Sequence, residues 1–138
     1  MAAFNKFQDW IRAVCEGEIN LDGTDTLKAY LSNATPSASL DAVKADLAEI
    51  SAGNGYTAGG EDTLNTGSET GGTYTVGMTD IVWTASGGTI GPFQYPVIYD
   101  DTHASDQLAG WYDYLSAITL NDGETFTLDF GSSVMTFA

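Results

Sequence analysis

The chain has little positive charge. Four Lys and Arg stand against nineteen Asp and Glu, a formal net charge of −15 at pH 7 over 138 residues. The four bases, Lys6, Arg12, Lys28 and Lys44, all lie in the first 44 residues, and residues 45–138 carry thirteen acids with no Lys or Arg. A nucleic-acid surface needs side-chain cations to displace counterions from phosphates. The expectation is therefore no direct DNA or RNA binding, and no attraction to anionic membranes. Cysteine is nearly absent: Cys15 stands alone, so no internal disulfide can form. Its place in an apolar helical pattern predicts a buried, inert thiol. No apolar run reaches the roughly 18 residues of a membrane span, and Met1–Trp10 lacks the long apolar stretch of a signal peptide. These absences predict a chain made in a cytoplasm and remaining soluble.

What is present suits one ordinary domain spanning 1–138. Hydrophobic residues make up 43% and charged residues 17%, which sets the chain as a whole apart from the disordered class. Area scaling predicts a folded surface of roughly 6,900 Å² and burial of about two-thirds of the unfolded surface, enough for a core without disulfide or metal. Sixteen glycines predict many turns.

Four regions follow from the patterning. In residues 1–17, Phe4, Phe7, Trp10, Ile11 and Val14 share one helical face, predicting a helix over 3–16 that Gly17 stops. That face either packs on the domain's own core or docks on a partner. In residues 18–50, Leu27, Ala29 and Leu31 alternate with Thr26, Lys28 and Tyr30, as in a half-buried strand. Leu40, Val43, Leu47 and Ile50 then share a face of a second short helix, 40–50, capped by Ser39. Residues 51–73, rich in Gly, Ser, Thr and Asn, read as a long polar loop with a short strand near 62–66, and so as a candidate contact region. Residues 74–138 read as strands joined by turns such as Asn121–Glu124. Pro96, inside the run Phe93–Tyr99, argues for an edge strand or a bulge there. The sum is a mainly β fold with a minor α component. It is an antiparallel β-sandwich or barrel with an N-terminal helix and a second short helix.

Several segments carry a resemblance. They are Phe4–Phe7, Asp25–Lys28, Glu49–Gly60, Trp83–Phe93 and Leu120–Glu124. Over nearly its whole length the chain resembles a family of small structural proteins encoded in tailed-bacteriophage and prophage genomes. The resemblance implies a virion component, such as a capsid decoration (cement) protein, and brings no catalytic motif and no site residues with it.

The residues themselves offer little chemistry. His103, the one histidine, lies in the polar run Asp100–Asp106 and reads as a solvated loop residue without the setting of a Ser-His-Asp site. No Cys/His grouping suits zinc. Asp100, Asp101 and Asp106 form a calcium candidate whose spacing differs from the EF-hand loop. The Gly-Gly pairs carry no P-loop lysine. Trp83, Phe93, Tyr95, Tyr99, Trp111, Tyr112 and Tyr114 either fill a sandwich core or line a sugar-binding platform.

The resulting expectation is a non-enzymatic virion structural protein without cofactor. It would be a decoration protein stabilising the head by binding the major capsid protein, and possibly copies of itself. A head–tail joining or tail component, a carbohydrate-binding adhesin on the virion surface and, more remotely, a hydrolase are the rivals. Candidate interface residues are Phe4, Phe7 and Trp10 on the helix, and Asn54, Gly55, Tyr56 and Thr57 in the Gly-rich loop.

Overall fold

The structure is a computed structural model and describes residues 2–138. Its spine is an antiparallel sheet of five strands. In chain order these are β1 (Phe4–Lys6), β2 (Leu27–Ser32), β3 (Glu61–Asp62), β8 (Tyr95–Asp100) and β9 (Gln107–Tyr112), arranged β1-β9-β8-β2-β3. Around it lie β4 (Thr66–Thr70), β5 (Thr73–Gly77), β6 (Ile81–Thr84), β7 (Ile90–Phe93), β10 (Ile118–Leu120), β11 (Thr125–Leu128) and β12 (Met135–Phe137). They pair antiparallel as β12-β5-β4, β11-β6 and β10-β7. The spine ends in open edges at β1 and β3, so the fold is sandwich-like and not a closed barrel.

Both faces of the spine are covered. Leu27, Ala29, Leu31 and Ile98 face the main core, together with Trp10, Val76, Trp83, Phe93 and Leu128 from the helix and the smaller sheets, and Phe130 just after β11. The opposite face, Tyr30, Val97, Tyr99 and Leu108, joins Phe7 and Leu47 in a second cluster. The strap 33–50 closes over it: the Tyr30 hydroxyl donates to Leu47 O, the Ser32 hydroxyl to Ala48 O, and Lys44 Nζ sits 4.8 Å from the centre of the Tyr30 ring. β2 is therefore buried on both faces, not half-buried as its alternation predicts. Tyr30 looked solvent-facing because its hydroxyl needs a partner, and the strap carbonyl supplies one.

The strap is also not the expected second helix. Within 40–50 only Lys44–Asp46 turns, as a short 3-10 segment. The backbone groups a helix would use are engaged elsewhere. The Ala42 carbonyl accepts from Leu108 N–H, the Lys44 N–H donates to Asp106 O, and Val43 bridges Gln107. Pairing with the sheet outweighs a helix too short to stand alone.

The N-terminal helix is shorter than the predicted 3–16. Phe4–Lys6 is strand β1, in register with Tyr112, Trp111 and Gly110, and α1 runs Gln8–Cys15. The Phe4 ring meets Tyr112 edge-on at 5.6 Å, over the space that Gly110 leaves free. The Gly-rich region 51–73 holds more order than a loop. Thr66–Thr70 and Thr73–Gly77 form a hairpin through Gly71-Gly72, both at positive φ, as a two-residue turn of the right twist demands.

Pro96 sits in β8, an inner strand and not an edge. It opposes Leu31, whose own N–H bonds to the Tyr56 hydroxyl and whose carbonyl accepts from Ile50 N–H. Leu31 thus turns its hydrogen-bonding groups away from Pro96, and the missing proline N–H breaks no bond with β2. A bulge does occur, one step on, between Ile98 and Tyr99 in the pairing with β9.

Candidate interaction surface

The helix-face candidates turn inward. Phe7 and Trp10 are 0% exposed. Phe7 packs on Trp111 with ring centres 4.6 Å apart, and Trp10 lies in the main core. Phe4 is half-buried on edge strand β1. Of the two readings of this face, packing on the domain's own core is the one the structure shows.

The Gly-rich loop is a clasp. Gly53 and Tyr56 exchange backbone hydrogen bonds of 2.8 and 3.0 Å around Asn54 and Gly55. Tyr56 is 2% exposed; its hydroxyl donates to Glu49 Oε2 at 2.6 Å and accepts from Leu31 N–H at 3.0 Å. Gly55 has φ 101°, and a Cβ there would run into the Thr84 carbonyl oxygen. Asn54 donates to Thr89 O at 3.0 Å. Glu49 Oε2 also accepts from Gly59 N–H at 2.7 Å, and the Tyr99 hydroxyl donates to Gly59 O at 2.7 Å. Burial alone would raise the Glu49 pKa. The hydrogen bonds from Lys44, Tyr56 and Gly59 outweigh it and hold the carboxyl below its ordinary value. Asn54, Gly55 and Thr57 face solvent, but the loop is fixed from inside. Removing 53–60 would thus remove a core tyrosine.

The acidic candidates do not converge. Asp100 is 0% exposed, and its Oδ1 accepts from the Thr102 and His103 N–H groups. Asp101 faces Lys28 at 3.7 Å, and Asp106 holds a left-handed turn at φ 54°. Among the described residues no three His, Cys, Asp or Glu side chains group as a metal site would require. His103 is less solvated than its loop suggests: its side chain is 16% exposed, with Nε2 2.9 Å from Glu18 Oε1. Glu18 also meets Arg12 at 2.6 Å, and Arg12 reaches Asp9 at 2.7 Å and Glu16 at 3.0 Å. The aromatics proposed for a sugar platform are interior or half-buried. Trp83, Phe93, Tyr95, Tyr99 and Tyr112 are buried, while Trp111 and Tyr114 are half-buried.

One surface feature escaped the sequence reading. Val14, Cys15, Ile19, Leu21, Tyr74 and Phe137 line an open apolar groove of about 550 Å³, with Asn20 and Asp22 at its lip. Cys15 is exposed there, not buried as its helical position predicts. The helix ends at Cys15, and Gly17, at φ 79°, turns the chain so that Ile19 and Leu21 fold back beside it. The signal in the sequence was the pair Ile19 and Leu21, apolar residues in a stretch with no periodic element.

No protein-family model matches this chain, and no curated protein or solved structure matches it. The structure itself shows a sandwich-like fold with an apolar groove on a strongly acidic chain.

Proposed function

We propose that the chain is a non-enzymatic structural protein of a tailed-bacteriophage virion, a capsid decoration protein that binds the major coat protein and stabilises the head. The observation that carries this reading is the apolar groove between α1, the 19–22 turn and strands β5 and β12. Exposed apolar concavities on a soluble domain mark contact sites. Asp22 lies at the lip, and Glu16 and Glu18 lie just beyond the end of α1. A coat segment presenting an apolar side chain flanked by Lys or Arg fits that chemistry. One such side chain contributes about 1.5–3 kcal/mol on burial. Firm attachment then depends on several contacts made together on a repeating lattice. The resemblance in the sequence supports the same reading.

The test is to add the purified chain to capsids that lack it and measure sedimentation and particle stability. Saturable binding that raises the temperature of particle disruption is expected. Labelling Cys15 with a bulky maleimide should abolish binding while circular dichroism stays unchanged. Unimpaired binding of the labelled chain would move the interface elsewhere. Failure to bind capsids, with localisation to the neck or tail by electron microscopy, would favour a joining or tail component.

A further inference from the structure

We infer that Asp25 and Asp100 share one proton across the spine sheet, and that this proton ties the groove wall to the 101–106 loop. Asp100 ends β8 opposite Leu27, and Asp25 precedes Leu27 by two residues. The Asp101 N–H donates to Thr26 O at 2.9 Å, so the pairing runs one step past Leu27 and brings the bend at Asp25 beside the end of β8. Both residues are buried. Asp100 Oδ1 takes the Thr102 and His103 N–H groups at 2.9 and 3.1 Å, but its buried Oδ2 has no donor. Asp25 Oδ2 accepts from Asn20 N–H at 2.9 Å, and Asp25 O accepts from the Asn65 side-chain amide at 3.0 Å.

The cations around this pair are engaged elsewhere. From α1, Arg12 is taken by Asp9, Glu16 and Glu18. From β2, Lys28 faces Asp101. From the loop, the His103 ring turns to Glu18, and Asp106 adds only negative charge. From the turn come Glu18 and Asp22, both acidic. Asp9 bonds to Gln107, the partner of Asp100 in β9. A buried acceptor without a donor is costly, and two adjacent carboxylates without a cation are costlier. A proton on one of the two answers both. In agreement, burial first, then the hydrogen bond and charge of Asp25, push the Asp100 pKa up to about 7.

Asp25 holds Asn20 of the groove wall, and Asp100 holds the loop whose His103 grips Glu18 at the head of that wall. Loss of the proton sets two like charges face to face and loosens one of these attachments. A carboxyl whose folded pKa is raised contributes stability fully at acid pH, and that contribution is lost as pH rises from about 4 through about 7. The wall should therefore be tight in mild acid and loosen in mild base. The proton itself is independent of the proposed function; only its effect on capsid binding rests on that reading.

The test uses the full chain. Carboxyl carbon NMR should show one aspartate titrating near pH 7, and that titration should vanish in Asp100→Asn, whose amide can donate without a dissociable proton. Hydrogen exchange at Asn20, Thr102 and His103, corrected for intrinsic base catalysis, should accelerate by about tenfold or more between pH 6 and 8.5, one pKa unit's worth. It should stay flat in Asp100→Asn and in Asp25→Asn. The wild-type titration needs no variant, so a poorly folding substitution does not blunt the test. No aspartate titrating above pH 6 would overturn the inference. So would unchanged pH dependence in both variants, or micromolar calcium alone shifting both carboxyl signals, which would put a cation in the proton's place. A titrating pair in a chain that never binds capsids would leave the proton standing and remove the decoration reading.

Discussion

The Tyr56 hydroxyl donates to Glu49 Oε2 at 2.6 Å while accepting from the Leu31 N–H at 3.0 Å. One phenol thus joins the Gly-rich loop, the strap and the spine sheet. Tyr56→Phe keeps the ring and leaves the buried Leu31 N–H without an acceptor. The expected cost is about 1–3 kcal/mol. It would appear in urea unfolding as a lower midpoint with an unchanged slope.

Glu49 gives that clasp an acid limit. Its folded pKa lies below the ordinary carboxylate value, so the stability it contributes is present above that value and is lost as pH falls through the folded one. Unfolding monitored from pH 6 down to pH 2 should show stability falling on the acid side. Glu49→Gln should flatten that fall while lowering stability at pH 6. An unaltered acid profile in the variant would assign the acid limit to other carboxyls.

Phe4 and Trp10, both on the predicted helical face, should separate on substitution. Trp10 is fully enclosed, and Trp10→Ala should cost about 3–5 kcal/mol through the cavity it leaves. Phe4 is half-buried on a three-residue edge strand, and Phe4→Ala should cost well under half as much. Chemical denaturation of the two variants side by side checks the ranking. Equal losses would show β1 to be as essential to the core as α1.

Much of the β architecture was legible because its strands obey a simple rule. Ile81 and Trp83 alternate with Val82 and Thr84, and β6 buries the first pair and exposes the second. The Asn121–Glu124 turn falls where the sequence places it, between β10 and β11, whereas the Gly71-Gly72 hairpin lies inside the stretch read as a long loop. The errors share one cause, which is long-range pairing overriding local pattern. Phe4–Lys6 fits a helical face, yet β9 offers it a sheet edge. Leu40–Ile50 has helical spacing, yet its backbone bonds to the spine. Pro96 argues against an inner strand, yet Leu31 faces away from its missing donor.

The candidate site was less legible. Asn54–Thr57 stood out for composition, but what glycine and tyrosine do there is internal, a close approach to Thr84 and a bond to Glu49. The groove draws on α1, the turn after it, β5 and β12, elements far apart in sequence whose meeting no local pattern announces. The nearness of Asp25 and Asp100 is hidden for the same reason: the two residues are 75 positions apart, and only the pairing of β2 with β8 brings the bend at Asp25 to the end of β8.

The spine sheet ends in strands of three and two residues. Edges so short present too few free backbone groups to template a neighbour's strand. Many copies could therefore be crowded onto a common surface without zipping into fibres, and the net charge of −15 adds mutual repulsion. Contact between such copies would have to run through side chains, which leaves their spacing to be set by whatever they are mounted on.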